Sequence, residues 1–145
     1  MTFLREFLAA AVLLGFDSLV AGLAIGPFLS SRRTAAAYAL LFGVCDGVAT
    51  ALGSMAPHRV PEPPAILIYL AAAALLAQGA RRSRVWLSAL PALFSLDNLV
   101  AGYSAADAPG LALGSAAMAG LGLALGGLGR RLATRLAIQL AMARA

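Results

Sequence analysis

The 145-residue chain has no lysine, one cysteine, one histidine and six acidic residues, and only 12% of its residues are charged. Water-soluble domains run nearer a quarter charged. So little charge beside 61% hydrophobic residues excludes disorder and counts against an ordinary soluble domain. The single cysteine, Cys45, excludes an internal disulfide and a Cys-rich metal cage. With His58 as the sole histidine, a structural zinc site has too few ligands. There is no glycine-rich nucleotide loop, so the chain is not expected to use ATP directly. All eleven basic residues are arginine and the formal net charge is +5. These arginines lie between apolar runs, a placement that fits anionic lipid and topology control, not nucleic acid.

What the sequence does have is long apolar runs. Five of them, Phe7–Leu29, Thr34–Ala56, Pro63–Ala80, Val85–Ala106 and Pro109–Gly129, approach the ~20 residues that cross ~30 Å of hydrocarbon. The first is too long for the core of a signal peptide and carries Asp17 at its middle. A sixth stretch, Leu132–Met142, is shorter and contains Arg135. It reads as an interfacial tail or the remnant of a sixth helix. The expected fold is therefore all-α: a polytopic membrane bundle of five to six transmembrane helices, forming one domain over residues 1–145.

Arginine placement sets an expected orientation. Alternate connections hold Arg32 and Arg33, then Arg81, Arg82 and Arg84, then Arg130, Arg131 and Arg135. The opposite connections hold only Arg5 and Arg59. The positive-inside rule then puts the first set in the cytoplasm and the N-terminus outside, in a multi-pass membrane protein.

Two segments repeat. Phe16-Asp17-Ser18-Leu19-Val20-Ala21-Gly22 and Leu96-Asp97-Asn98-Leu99-Val100-Ala101-Gly102 agree at five of seven positions, 80 residues apart. Three runs fit within that offset, so the two copies are expected to cross the membrane in opposite senses. Such an inverted repeat places a substrate site between the halves near the midplane. The first repeat spans about residues 7–80 and the second, truncated, about 85–145.

Three of the six acids, Asp17, Asp46 and Asp97, lie inside apolar runs. Each costs roughly 2.5–3.5 kcal/mol near the bilayer centre. No arginine lies at similar depth, so a bound cation or protons are expected to neutralise them. Ser18 and Asn98 follow the repeated aspartates and add neutral oxygens, the donor type hard divalent cations prefer. Small residues recur at intervals of four: Ser18, Gly22 and Gly26; Gly43, Gly47 and Ala51; Gly110 and Gly114; Gly122 and Gly126. These stripes are expected to let helix backbones approach closely. Pro91, six residues before Asp97, is placed either to break the fourth run and free carbonyls for an ion or to make a plain packing kink.

With these residues in hand, the chain resembles the bacterial manganese efflux pumps (MntP-like) of the lysine-exporter-like transporter superfamily. The resemblance rests on Asp17-Ser18-Leu19-Val20-Ala21-Gly22, on Ser95-Leu96-Asp97-Asn98-Leu99-Val100-Ala101-Gly102 and on Phe42-Gly43-Val44-Cys45-Asp46. It touches about residues 7–53 and 88–128. The chain departs from the family in having Ser18 and Asn98 where alanine is usual, Asp46 where glutamate is usual, and fewer helices. The resemblance implies export of Mn²⁺ as transported ion, without a resident cofactor and without enzymatic activity. Asp17 and Asp97 would bind the ion, Asp46 would be a third carboxylate or proton carrier, and Ser18 and Asn98 would adjust the shell. Oligomerisation into a homo-oligomer is one way to complete the short second half.

Three other readings stand beside this one. A proton-coupled exporter of a small organic solute would normally need an intramembrane cation to pair the solute. An intramembrane aspartyl protease would need a Gly-x-Gly-Asp context that Gly43-Val44-Cys45-Asp46 does not supply. A non-transporting membrane subunit would tolerate loss of both repeated aspartates.

Overall fold

A computed structural model describes residues 15–55, 87–100 and 103–143, with positions 67, 70, 71, 74, 75, 77 and 78 between them. The start of the first run, most of the third, the loops with His58, Arg59, Arg81, Arg82 and Arg84, and the Ala101-Gly102 end of the second motif lie outside the described residues. Regular structure among the described residues is entirely helical.

Helix α1 spans Phe16–Ile25 and passes into a 3-10 turn, Gly26–Phe28. Pro27 has no N–H to continue the ladder, and Leu29 is already extended (φ −87°, ψ 131°). The buried residues Ser18, Ala21, Gly22 and Ile25 form one stripe, the three-to-four spacing of a helix face. Helix α2, Arg32–Gly53, starts where Ser31 Oγ accepts the Thr34 N–H at 3.0 Å, which satisfies one orphan donor of the first turn. It turns Phe42, Gly43, Asp46, Thr50 and Gly53 inward and exposes Leu40, Val44, Val48 and Leu52.

The fourth run, read from sequence as one span, is two short helices: α3, Ala89–Phe94, and α4, Leu96–Val100. They meet at Ser95, whose N–H donates to the Pro91 carbonyl at 3.1 Å and whose Oγ lies 2.7 Å from the same oxygen. The Pro91 carbonyl itself is therefore engaged by Ser95.

The fifth run and the C-terminal stretch are one helix, α5, Ala108–Ala143. It begins after a 3-10 turn, Ala105–Asp107, where the Asp107 carboxylate accepts from Ser104 N–H and Oγ at 3.0 and 2.7 Å. Arg130 and Arg131 do not end it because arginine is a good helix former. Thirty-six residues make a rod about 54 Å long, well beyond the ~30 Å of a bilayer core. Leu132–Met142 is thus the continuation of the fifth helix and not a separate element.

Helix α5 packs along both α1 and α2, and the small-residue stripes make this possible. A Cβ at Gly22 would lie 2.5 Å from the Ala119 carbonyl oxygen, and one at Gly122 would strike the Leu19 carbonyl oxygen. A Cβ at Gly43 would lie 2.5 Å from the Ala112 carbonyl oxygen. Backbones meet here with no room for a side chain. Gly110 behaves otherwise: nothing lies within 4 Å of its missing Cβ.

The contacts also fix directions. Gly22 meets Ala119 and Gly26 meets Leu123, so α1 runs with α5. Gly43 meets Ala112 and Gly120 faces Ala39, so α2 runs against α5. Ser95 bonds Asp46 and Leu99 meets Gly53, so α4 runs with α2 and against α1.

Two helical stretches, Arg32–Gly53 and Ala105–Ala143, are long and apolar enough to cross a membrane, and only 28% of the most apolar window of each is buried. The central helix of a soluble protein would be mostly buried. In these two helices the buried residues are small or polar apart from Phe42 and Leu123, and many leucines and valines are exposed, the arrangement that suits a lipid surrounding.

Candidate functional site

Asp46 is the centre of the site. It lies seven residues before the end of α2 and is 2% exposed. Its place on the inward stripe between Phe42 and Thr50 follows from helical spacing. Ser95, at the break between α3 and α4, donates its hydroxyl to Asp46 Oδ1. Ser18 of α1 stands 3.5 Å from Asp46 Oδ2, the outer limit of a hydrogen bond. Ser18 Oγ in turn lies 2.6 Å from Ser115 Oγ of α5. One carboxylate is thereby linked to hydroxyls from three other segments, and Ser18, Ser95 and Ser115 are all buried.

One turn along α2, Thr50 Oγ1 is buried without a hydrogen-bond partner among the described residues. Most buried hydroxyls are satisfied, so this atom extends the polar strip beyond the bonds the protein makes for itself. Asn98, 6% exposed, lies on α4, whose backbone carbonyls at Asn98 and Leu99 abut Gly53.

The two repeated aspartates flank the cluster in matching local settings. Asp17 Oδ1 accepts the Ser18 N–H at 2.7 Å, and Asp97 Oδ1 accepts the Asn98 N–H at 2.8 Å. Each sits in the first turn of its helix, where an acid complements the helix dipole. Asp17 is half-buried and Asp97 exposed. The three carboxylates do not close into one ligand cage: among the described residues no group of three or more His, Cys, Asp or Glu side chains is placed to hold a metal ion.

Among the described residues no basic side chain neutralises the site. The described arginines, Arg32, Arg33, Arg130, Arg131 and Arg135, are all exposed. Arg32 is fourteen residues from Asp46 along α2, a distance of about 21 Å. Cys45 is only partly buried and is no member of the cluster.

Of the five residues singled out by sequence, Ser18 and Asp46 are joined directly. Asp17, Asp97 and Asn98 border them. Sequence reasoning missed Ser115 and Thr50, and gave Ser95 no role of its own. A polar residue within an apolar run was the available signal for all three.

No protein-family model, no curated protein and no solved structure matches the chain.

Proposed function

We propose that the chain is a multi-pass membrane protein, a secondary transporter that exports a divalent cation, Mn²⁺ by the resemblance of its motifs, from the bacterial cytoplasm. The observation that carries the reading is the buried Asp46 carboxylate, held by the Ser95 and Ser18 hydroxyls, the latter linked on to Ser115, with no cationic partner among the described residues. A buried carboxylate normally has a compensating charge. A transported cation is such a charge, and protons are another.

The hydrogen bonds support exchange between the two. Ser95 has a single hydroxyl proton and two acceptors within reach, Asp46 Oδ1 and the Pro91 carbonyl. One proton cannot serve both. The cluster has room for one more proton on the carboxyl, or for a cation in its place. Oxygen donors suit Mn²⁺ better than softer metals. In this conformation the first shell would be Asp46 with Ser18 and Ser95 hydroxyls. Asp17 and Asp97, at the edges, would receive and release the ion, with Asn98 beside the latter.

Opposite directions for α1 and α4 support the inverted repeat, and hence alternating access by rocking of the halves. The bundle of five to six spans, with its N-terminus outside, belongs to the same proposal. Proton-coupled export of an organic solute and a non-transporting subunit are the other readings; the first would normally need an intramembrane cation to pair the solute, and the second does not require a carboxylate without a cationic partner.

The test is cellular manganese by mass spectrometry in a manganese-loaded bacterium lacking its own exporter. The native chain should lower it and Asp46→Asn, at matched membrane levels, should not. Equal manganese in both would remove the manganese reading.

A further inference from the structure

We propose that the arginine-bearing end of the bundle holds an anionic phospholipid, bound by a cavity that the transport site does not use. The cavity, about 500 Å³, lies where the α1–α2 connection meets α5. Its volume is within the range of small-molecule sites. Arg32 and Arg131 line it from two different helices, and no acidic residue is among its lining residues. Apart from Ser30 and Ser31 the remaining walls are apolar, Leu29, Ala35, Leu123 and Leu128 among them. The glycines that bring α1 against α5 also shape its floor, since Gly26 and Gly127 line it without side chains.

Two cationic forks over an apolar slot match a lipid phosphate over the start of an acyl chain. Arginine pairs phosphate oxygens bidentately. A free anion would use the arginines and leave the slot unfilled. Leu128 lines the cavity and is exposed, as are Leu125 and Leu121 on the same helix, so an acyl chain held there has an apolar surface to continue along. Basic residues at this end fit the leaflet richest in anionic headgroups. The proposal depends on the membrane setting and not on manganese transport, so either can fail alone.

The full chain is purified in mild detergent from a bacterial host, and retained phospholipid is identified by mass spectrometry. Thermal unfolding is then followed with added phosphatidylglycerol, phosphatidylcholine or inorganic phosphate. The native chain should retain phosphatidylglycerol in preference to phosphatidylcholine and be stabilised by it alone. Arg32→Gln with Arg131→Gln should cut retention about ten-fold, while Arg135→Gln, outside the cavity, leaves it unchanged. Ala36→Trp fills the slot with both arginines present and should also lose the lipid. This variant keeps the test alive if the arginine pair proves necessary for folding. Equal retention of both lipids, or retention undiminished in Ala36→Trp, would overturn the proposal. Full stabilisation by inorganic phosphate would overturn it in favour of a soluble anion.

Discussion

In both Asp17-Ser18 and Asp97-Asn98 the carboxylate accepts the N–H of the residue that follows, at 2.7 and 2.8 Å. The helices carrying them run in opposite directions relative to α2. Yet the two motifs differ in what they bury. Ser18 is 0% exposed and reaches toward Asp46 and Ser115, whereas Asn98 is 6% exposed and lies beside the end of α2. Asp17 is half-buried and Asp97 exposed. The difference teaches that the repeated aspartates are not the buried charge. Each turns its following residue inward, and the unrepeated Asp46 takes the centre.

The largest way to break this comparison is at its centre. Asp46→Asn keeps the volume and removes the charge, so transport should fall to background while the protein still reaches the membrane at normal levels. Export assays with quantified membrane protein check both halves of that statement.

Next come the glycines. Gly22→Val should destabilise the fold by about 1–3 kcal/mol or more, because its new side chain meets backbone and not a movable side chain. Gly110→Val, with open space around it, should cost much less. Thermal unfolding in detergent reads the pair.

Removal of single hydroxyls should have intermediate effects on transport. Hydrogen bonds to charged groups contribute about 1.5–3 kcal/mol, so Ser95→Ala should weaken cation affinity about ten-fold. Ser18→Ala should do less, since its contact with Asp46 is long. Comparing Asp17→Asn with Asp97→Asn sharpens the asymmetry: the half-buried Asp17 should matter more than the exposed Asp97. Equal losses would mean the motifs act alike in the working cycle.

Smallest of all, Ser31→Ala should cost about 1 kcal/mol of stability without changing ion selectivity, because it caps α2 at the end away from Asp46.

Much of this was legible in the sequence, and the exceptions have physical causes. Thr34–Ala56 read as a helix and α2 is one, because a long apolar run with a serine cap has few alternatives. Gly22, Gly26, Gly122 and Gly126 read as contact stripes from their spacing alone, and backbone meets backbone there. The split at Ser95 was hidden: Pro91 announced a disturbance, but the serine that turns back onto its carbonyl decides where the helix divides. Ser115 was hidden because one serine among alanines and glycines carries no periodic signal of its own. The unbroken α5 was hidden because a double arginine marks the end of a membrane run, whereas the backbone hydrogen bonds of a helix need not stop at the membrane surface.

The contrast within α5 rests on the same physics. Ser115, Ala119, Gly122, Leu123 and Gly126 are buried before Arg130, and every described residue from 130 to 143 is exposed. Leucines occur in both parts. Small residues at intervals of three and four decide where helices meet, and hydrophobicity alone does not.

The most direct test uses purified chain in liposomes, with a manganese-quenched dye inside and an imposed proton gradient. The native chain should carry Mn²⁺ across the bilayer, with protons moving the other way, and Asp46→Asn should carry neither. Manganese flux undiminished in Asp46→Asn would contradict the account, since the buried carboxylate would then be a packing feature and not the ion's place in the membrane.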